Sequence, residues 1–249
     1  MRKYIHKKIL YPMQLQGKTA IVTGASSGIG AEFSKALTEK GCRVFGLARR
    51  SDRLEELRSR LGDLFVPVVQ DVNDFEGVEA WVGSTFSGDN RPDVLVNNAG
   101  LGLFGAVDEL PPEDWDTMIQ TNLTSVFRLT RLIVPFMKQS DSVTHIVNIA
   151  SVAGLIGNPN ISGYNATKFA IRGFSEALMK ELRNDRIKVT CIYPGSVATE
   201  FFEQHGGTHS HMLQGRDVAG TLVHILETPD NFLIDEITVR PLVPKPPQK

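Results

Sequence analysis

Tyr164 and Lys168 stand four residues apart, and the apolar residues beyond them, Phe169, Ile171, Phe174, Ala177 and Leu178, recur every three or four positions. That is the period of a helix, so the phenol and the ammonium share one helical face. A nearby positive charge favours the phenolate and draws a tyrosine pKa down from about 10, equipping the group to give or take a proton near neutral pH. Ser151 follows the run His145, Ile146, Val147, Asn148, Ile149, Ala150, which reads as a buried strand with the hydroxyl at its C-terminal end. Ligands of open parallel sheets bind along that edge. Taken alone, the three residues also fit a surface tyrosine, a solvated lysine and a turn cap.

The elements that must position them alternate along the chain. Thr19 to Val22 is a β-type run, followed by Thr23, Gly24, Ala25, Ser26, Ser27, Gly28, Ile29 and Gly30, then by a helical pattern through Phe33, Leu37 and Lys40 that Gly41 ends. Arg43 to Ala48 reads as a second strand, Asp52 to Leu61 as a helix, Leu64 to Gln70 as a third strand and Asp74 to Phe86 as a helix. Val94 to Val96 is a fourth strand that runs into Asn97, Asn98, Ala99 and Gly100. Pro112 opens a long helix reaching about Lys138, which Pro135 is expected to kink or fray near its end. Strands at Lys188 to Tyr193 and Ile237 to Val239 complete the series. This order implies an α/β fold: a Rossmann-type doubly wound domain with a seven-stranded, mostly parallel sheet flanked by helices on both faces.

Gly24, Gly28 and Gly30 sit where the first strand hands over to the first helix. Glycines there let backbone approach a pyrophosphate, and the helix N-terminus meets its charge, although a plain tight turn would read the same way. An acidic residue at the end of the second strand would grip a ribose hydroxyl, but Ala48 is followed by Arg49 and Arg50. An arginine fork suits a 2′-phosphate, so NADP(H) is expected over NAD(H). The bland alternative pairs both arginines with Glu55 and Glu56.

From about Gly17 to Pro241 the sequence resembles the short-chain dehydrogenase/reductase family. Thr23 to Gly30 matches its TGxxxGxG turn, Asn97 to Gly100 its NNAG, Ser151, Tyr164 and Lys168 its catalytic set, and Pro194 with Gly195 its PG turn. The resemblance implies a fourth catalytic position at Asn122. It also implies a cofactor shell of Gly24, Ser26, Ser27, Gly28, Ile29, Gly30, Arg49, Arg50, Asp71, Val72, Asn98, Ala99, Gly100, Tyr164, Lys168, Pro194, Gly195, Val197 and Thr199. In that scheme Ser151 holds a substrate oxygen, Tyr164 supplies its proton, Lys168 lowers the tyrosine pKa and holds the cofactor ribose, and Asn122 positions a water. Asp71 and Val72 border the adenine, and Thr199 the nicotinamide carboxamide. The implied activity is hydride transfer between NADP(H) and a carbonyl or secondary alcohol of a small substrate, in a homotetramer or homodimer built on the long helices.

The resemblance also marks residues 199–216 as a substrate lid. Phe201 and Phe202 there could cover an apolar group, Gly206 and Gly207 read as a hinge, and His205, His209 and His211 lack the carboxylate or cysteine that would complete a metal set. The ending from Asp235 to Pro241 is similar to members that act on 3-hydroxy acids such as serine or on small aldehydes and ketones.

Composition sets outer limits. A chain of 249 residues, 41% hydrophobic and 22% charged, suits one domain, taken as residues 17–243 after an N-terminal arm at 1–16 and before a tail at 244–249. The net charge of −1 makes no case for nucleic acid or an anionic membrane, and no apolar run reaches membrane-span length. Cys42 and Cys191 lie in apolar runs and read as buried free thiols, which points to a reducing, cytoplasmic setting. Two other classes stay open: an NADP-binding sensor or scaffold that has lost catalysis, and a serine hydrolase. The second lacks a G-x-S-x-G elbow around Ser151.

Overall fold

The computed structural model describes residues 13–204 and 207–243. The far end of the arm, the tail and the hinge residue Gly206 lie outside the described residues. Seven strands form one sheet in the order β3-β2-β1-β4-β5-β6-β7, and every pairing is parallel. They span Thr19–Thr23 (β1), Arg43–Ala48 (β2), Phe65–Val69 (β3), Val94–Asn97 (β4), Thr144–Ile149 (β5), Ile187–Pro194 (β6) and Glu236–Val239 (β7). Among the described residues, eight α-helices connect or follow them: Gly28–Glu39 (α1), Ser51–Leu61 (α2), Phe75–Thr85 (α3), Pro112–Ile119 (α4), Ser125–Met137 (α5), Ser162–Leu182 (α6), Glu200–Gln204 (α7) and Gly215–Leu226 (α8).

Side chains alternate across each strand, so the sheet packs two cores at once. Ala20, Val22 and Val44 face Phe33 and Leu37 of α1 and Val218 and Leu222 of α8. Ile21, Phe45 and Leu95 face Val78 and Val82 of α3 and Ile133 of α5. Met13 and Leu15, at the end of the segment read as an arm, are buried in the first core, and Cys42 Sγ donates to the Leu15 carbonyl.

The central helix departs from expectation in one respect. Pro135 falls in the last turn of α5, which ends two residues later, but the irregularity of the long helix lies upstream, in a π turn over Gln120–Thr124. Helix α8 has no counterpart among the elements expected from the sequence. Its apolar face of Val218, Ala219, Leu222, Ile225 and Leu226 is buried, and Gln214 with Asp217 forms a capping box at its start.

Strand order reverses between β1 and β4, because β2 and β3 extend the sheet to one side of β1 and β4 to β7 extend it to the other. That switch point opens a crevice beyond the strand ends, the usual ligand position in such sheets. Among the described residues no helix is long and apolar enough to cross a membrane.

Candidate active site

A cavity of about 480 Å³ occupies the switch point. Every residue expected to touch a cofactor lines it except Gly30, and so do Ser151, Tyr164 and Lys168. Gly30 acts from one layer behind. A Cβ there would sit 2.2 Å from the Gly24 carbonyl oxygen, so only glycine lets α1 close on the end of β1. Gly24 itself has φ of +68°, in the left-handed region. Ser27 precedes α1 in extended geometry without capping it by its side chain, and Gly28 and Ile29 line the cavity. An uncapped helix start with glycine approaches is a fitting cradle for a dinucleotide's phosphates.

The facing wall is fixed by Thr23. Its Oγ1 accepts from the backbone N–H of Asn98 at 3.0 Å and of Ala99 at 2.9 Å, while Asn98 Nδ2 donates to the Thr23 carbonyl at 2.9 Å. Three hydrogen bonds thus clamp the NNAG segment to the end of β1. Asn122, buried in the π turn, holds the next stretch: its Oδ1 accepts from Leu101 N at 2.9 Å, and its Nδ2 donates to Leu101 O at 2.8 Å and to Thr167 Oγ1 at 3.1 Å. Its carboxamide therefore ties the Gly100–Leu101 wall to α6.

Ser151 caps the single 3₁₀ turn Val152–Gly154, its Oγ accepting from Ala153 N at 3.1 Å, so the cap role and the site position coincide. Lys168 is buried and donates from Nζ to the Ile149 carbonyl at 3.0 Å. Its Nζ stands 5.6 Å from the centre of the Tyr164 ring. The expected depression of the tyrosine pKa is not what this geometry produces. Burial pushes the Tyr164 phenol up to about 12, only partly opposed by a hydrogen bond with Ser151, and burial brings the Lys168 ammonium down to about 8. Desolvation dominates, with Phe104 and Phe201 packed against the phenol ring at centroid distances of 5.6 and 5.7 Å.

At the other end of the cavity the arginines separate. Arg49 is 74% exposed and, among the described residues, pairs with Asp71 at 3.9 Å. Arg50 turns inward and donates to Ser26 Oγ at 3.2 Å and Ser27 Oγ at 2.6 Å, while its Nη1 meets Glu200 of α7 at 3.2 Å. Arg53 pairs with the other Glu200 oxygen, and with Arg50 it holds that carboxyl below the usual carboxylate range. The alternative pairing of Arg49 and Arg50 with Glu55 and Glu56 does not form.

Several lining residues escaped the sequence reading. Asn73 donates to Thr121 Oγ1 at 2.8 Å, and its buried Oδ1 has no partner among the described residues. Leu101, Phe104, Asn158 and Ile161 join the wall near Tyr164. Of the lid histidines, His205 lies outside the described residues, and the rings of His209 and His211 are 6.2 Å apart. Leu213 returns the lid to the sheet edge, where Ala198 N donates to Leu213 O at 2.8 Å and Leu213 N to Ser196 O at 3.0 Å.

The profile of the family described as short chain dehydrogenase matches residues 18–209. The chain belongs to that family. An uncharacterized oxidoreductase of Staphylococcus saprophyticus is 35% identical over 234 residues, which is 92% of this chain and all of that protein. Two solved short-chain dehydrogenase relatives superpose closely. Serine dehydrogenase in a closed form with NADP+ gives a TM-score of 0.84 at 31% identity, covering 90% of this chain and 95% of the other. A 3-ketoacyl-(acyl-carrier-protein) reductase from Brucella melitensis, complexed with NADH, gives 0.82 at 28% identity, covering 90% and 97%. The protein is thus an oxidoreductase of this family, and a nicotinamide dinucleotide is its cofactor class.

Proposed function

We propose that the protein is an NADP(H)-dependent oxidoreductase that interconverts a carbonyl group and a secondary alcohol on a small substrate. The observation that carries this reading is the convergence of Ser151, Tyr164 and Lys168 on the same cavity as the glycine turn and Arg50. Gly24, Gly28 and Ile29 would hold the dinucleotide's phosphates, Asp71 and Val72 its adenine, and Pro194, Gly195, Val197 and Thr199 its nicotinamide. Arg50, already aimed at the hydroxyls of Ser26 and Ser27, supports NADP(H) over NAD(H). When bound, the nicotinamide supplies or accepts the hydride.

The chain's own residues do the rest. Ser151 presents its hydroxyl to the substrate oxygen, and Tyr164 delivers the proton from Oη in the reductive direction or removes it in the oxidative one. With its pKa pushed up to about 12, Tyr164 rests in the acid form that reduction requires. Lys168, below its pKa of about 8 near neutrality, keeps a positive charge beside the phenolate as the proton leaves. Asn122 acts through the Leu101 backbone and Thr167, which makes it a positioning residue here.

Large exposed side chains on the long helices, Trp115 on α4, Phe127 on α5 and Phe169 on α6, support assembly into a homodimer or homotetramer through those helices. Free buried Cys42 and Cys191 favour a cytoplasmic location.

The deciding experiment titrates the purified protein with NADPH and NADH by nicotinamide fluorescence, then follows NADPH oxidation across a carbonyl panel. Tighter NADPH binding with turnover of any panel member supports the reading. Binding of neither nucleotide refutes it.

A further inference from the structure

Within the oxidoreductase reading, on which this step rests, we propose that the substrate is a neutral carbonyl compound bearing a ring or alkyl group, and that the site discriminates against carboxylates. Three rings meet at the proton donor. Phe104 and Phe201 each contact Tyr164, and they contact each other at 6.0 Å, edge to face. Gly102 makes room for both: a Cβ there would come within 2.6 Å of Phe104 and 2.9 Å of Phe201. Phe104 and Phe201 both line the cavity, so the rings form part of its wall. Such a wall gains from covering a further ring or chain, through apolar area and edge-to-face contact.

The charge distribution points the same way. Among the described residues lining the cavity, the cations are Arg49, Arg50 and Lys168. Arg50 is turned to the serines of the glycine turn and Arg49 toward Asp71, at the end of the cavity away from Tyr164. Lys168 is committed to the Ile149 carbonyl. Glu200, which precedes Phe201 in the chain, is held by Arg50 and Arg53 at that same far end. A substrate carboxylate entering this region would lose water, and the cation beside Tyr164 among the described residues, Lys168, already donates to a backbone carbonyl, so the exchange is costly. Ser151 and Asn158 add neutral polar groups suited to a carbonyl or ester oxygen. Of the two substrate groups that the ending from Asp235 to Pro241 resembles, this favours the small aldehydes and ketones over the 3-hydroxy acids.

Two matched pairs test this with the full chain and saturating NADPH. Ethyl acetoacetate and acetoacetate share one ketone and differ by a charge, while benzylacetone and butanone differ by a phenyl-bearing arm. The neutral ester and the phenyl ketone are each expected to exceed their partners in kcat/KM by about tenfold or more. Phe201→Ala should erase most of the phenyl ketone's advantage, and Phe201→Leu should keep part of it. Equal or better turnover of acetoacetate overturns the proposal, as does a phenyl advantage unmoved by Phe201→Ala. If none of the four turns over, the wider carbonyl panel and the nucleotide titration judge the activity separately. Calorimetric titration of the NADP+ complex with ethyl β-hydroxybutyrate and β-hydroxybutyrate then decides: preferential binding of the ester sustains the inference, and equal, reversed or absent binding ends it.

Discussion

At the β2 end of the cavity, Arg50, Arg53 and Glu200 form a half-exposed ion-pair cluster joining the lid helix to the glycine turn. At the β5 end, Tyr164, Lys168 and Asn122 sit among phenylalanine rings and backbone carbonyls. The first region keeps its charges in partial contact with water, so each pair is worth little on its own and yields readily to a ligand. The second strips water from ionisable groups and moves their pKa values in opposite directions, the phenol up and the ammonium down. Under the proposed function, recognition falls where rearrangement costs little, and proton transfer where the surroundings are fixed in advance.

The largest effect should come from the buried end. Tyr164→Phe removes the proposed proton donor, and kcat for carbonyl reduction should fall by about 10² to 10⁴ while NADPH affinity stays within about twofold. Stopped assays with the better cofactor measure both. A near-normal rate would take Tyr164 out of the mechanism and erase the functional half of the contrast.

Lys168 tests the energetic half. Its folded pKa of about 8 lies below the ordinary 10.5, so between those values the unfolded chain binds more protons than the folded one. Stability therefore rises as pH climbs through that window, and near neutral pH the charged lysine costs of the order of 3 kcal/mol. Tyr164 works the other way above pH 10, where the unfolded phenol ionises first and stability falls again. Thermal melts should show Tm increasing from pH 8 to a maximum near pH 9, where the unfolded thiols of Cys42 and Cys191 begin to ionise while burial holds their folded pKa values up, and Lys168→Met should raise Tm at pH 7 by several degrees while abolishing turnover. A flat profile would mean that water reaches the ammonium.

Arg50→Ala addresses the charged end. Loss of a charge-assisted contact predicts NADPH binding weaker by about ten- to a hundredfold with NADH nearly unchanged, and Arg49→Ala should do less because that side chain is exposed. Equal weakening of both nucleotides by Arg50→Ala would remove it from 2′-phosphate recognition.

How far the sequence discloses each end follows from the range of the forces. Gly24, Gly28 and Gly30 are legible because backbone closeness admits no other residue, and Tyr164 with Lys168 because helical period fixes their common face. The π turn at Asn122 has no local signature; it accompanies hydrogen bonds to Leu101 and Thr167, which only the folded chain brings near. Nor does spacing reveal burial, which is why a lysine four residues away was expected to lower a pKa that desolvation raises. Helix α8 is a different case, since its capping box and apolar period stand openly after the lid. The pairing of Glu200 with Arg50 spans 150 positions and could not be read locally.

That pairing allows the smallest and most discriminating test. Glu200 competes for the guanidinium that a 2′-phosphate would take, so Glu200→Gln should tighten NADPH by about two- to fivefold at low ionic strength, as removal of a half-exposed ion pair permits. The gain should vanish in high salt, where both the wild-type pair and the phosphate contact are screened, and NADH affinity should not move. Tightening that survives high salt would place the cluster in a drier setting than its exposure indicates. Weaker NADPH binding would mean that Glu200 aims Arg50 and Arg53 at the ligand, and the charged end would then be as preorganised as the aromatic one.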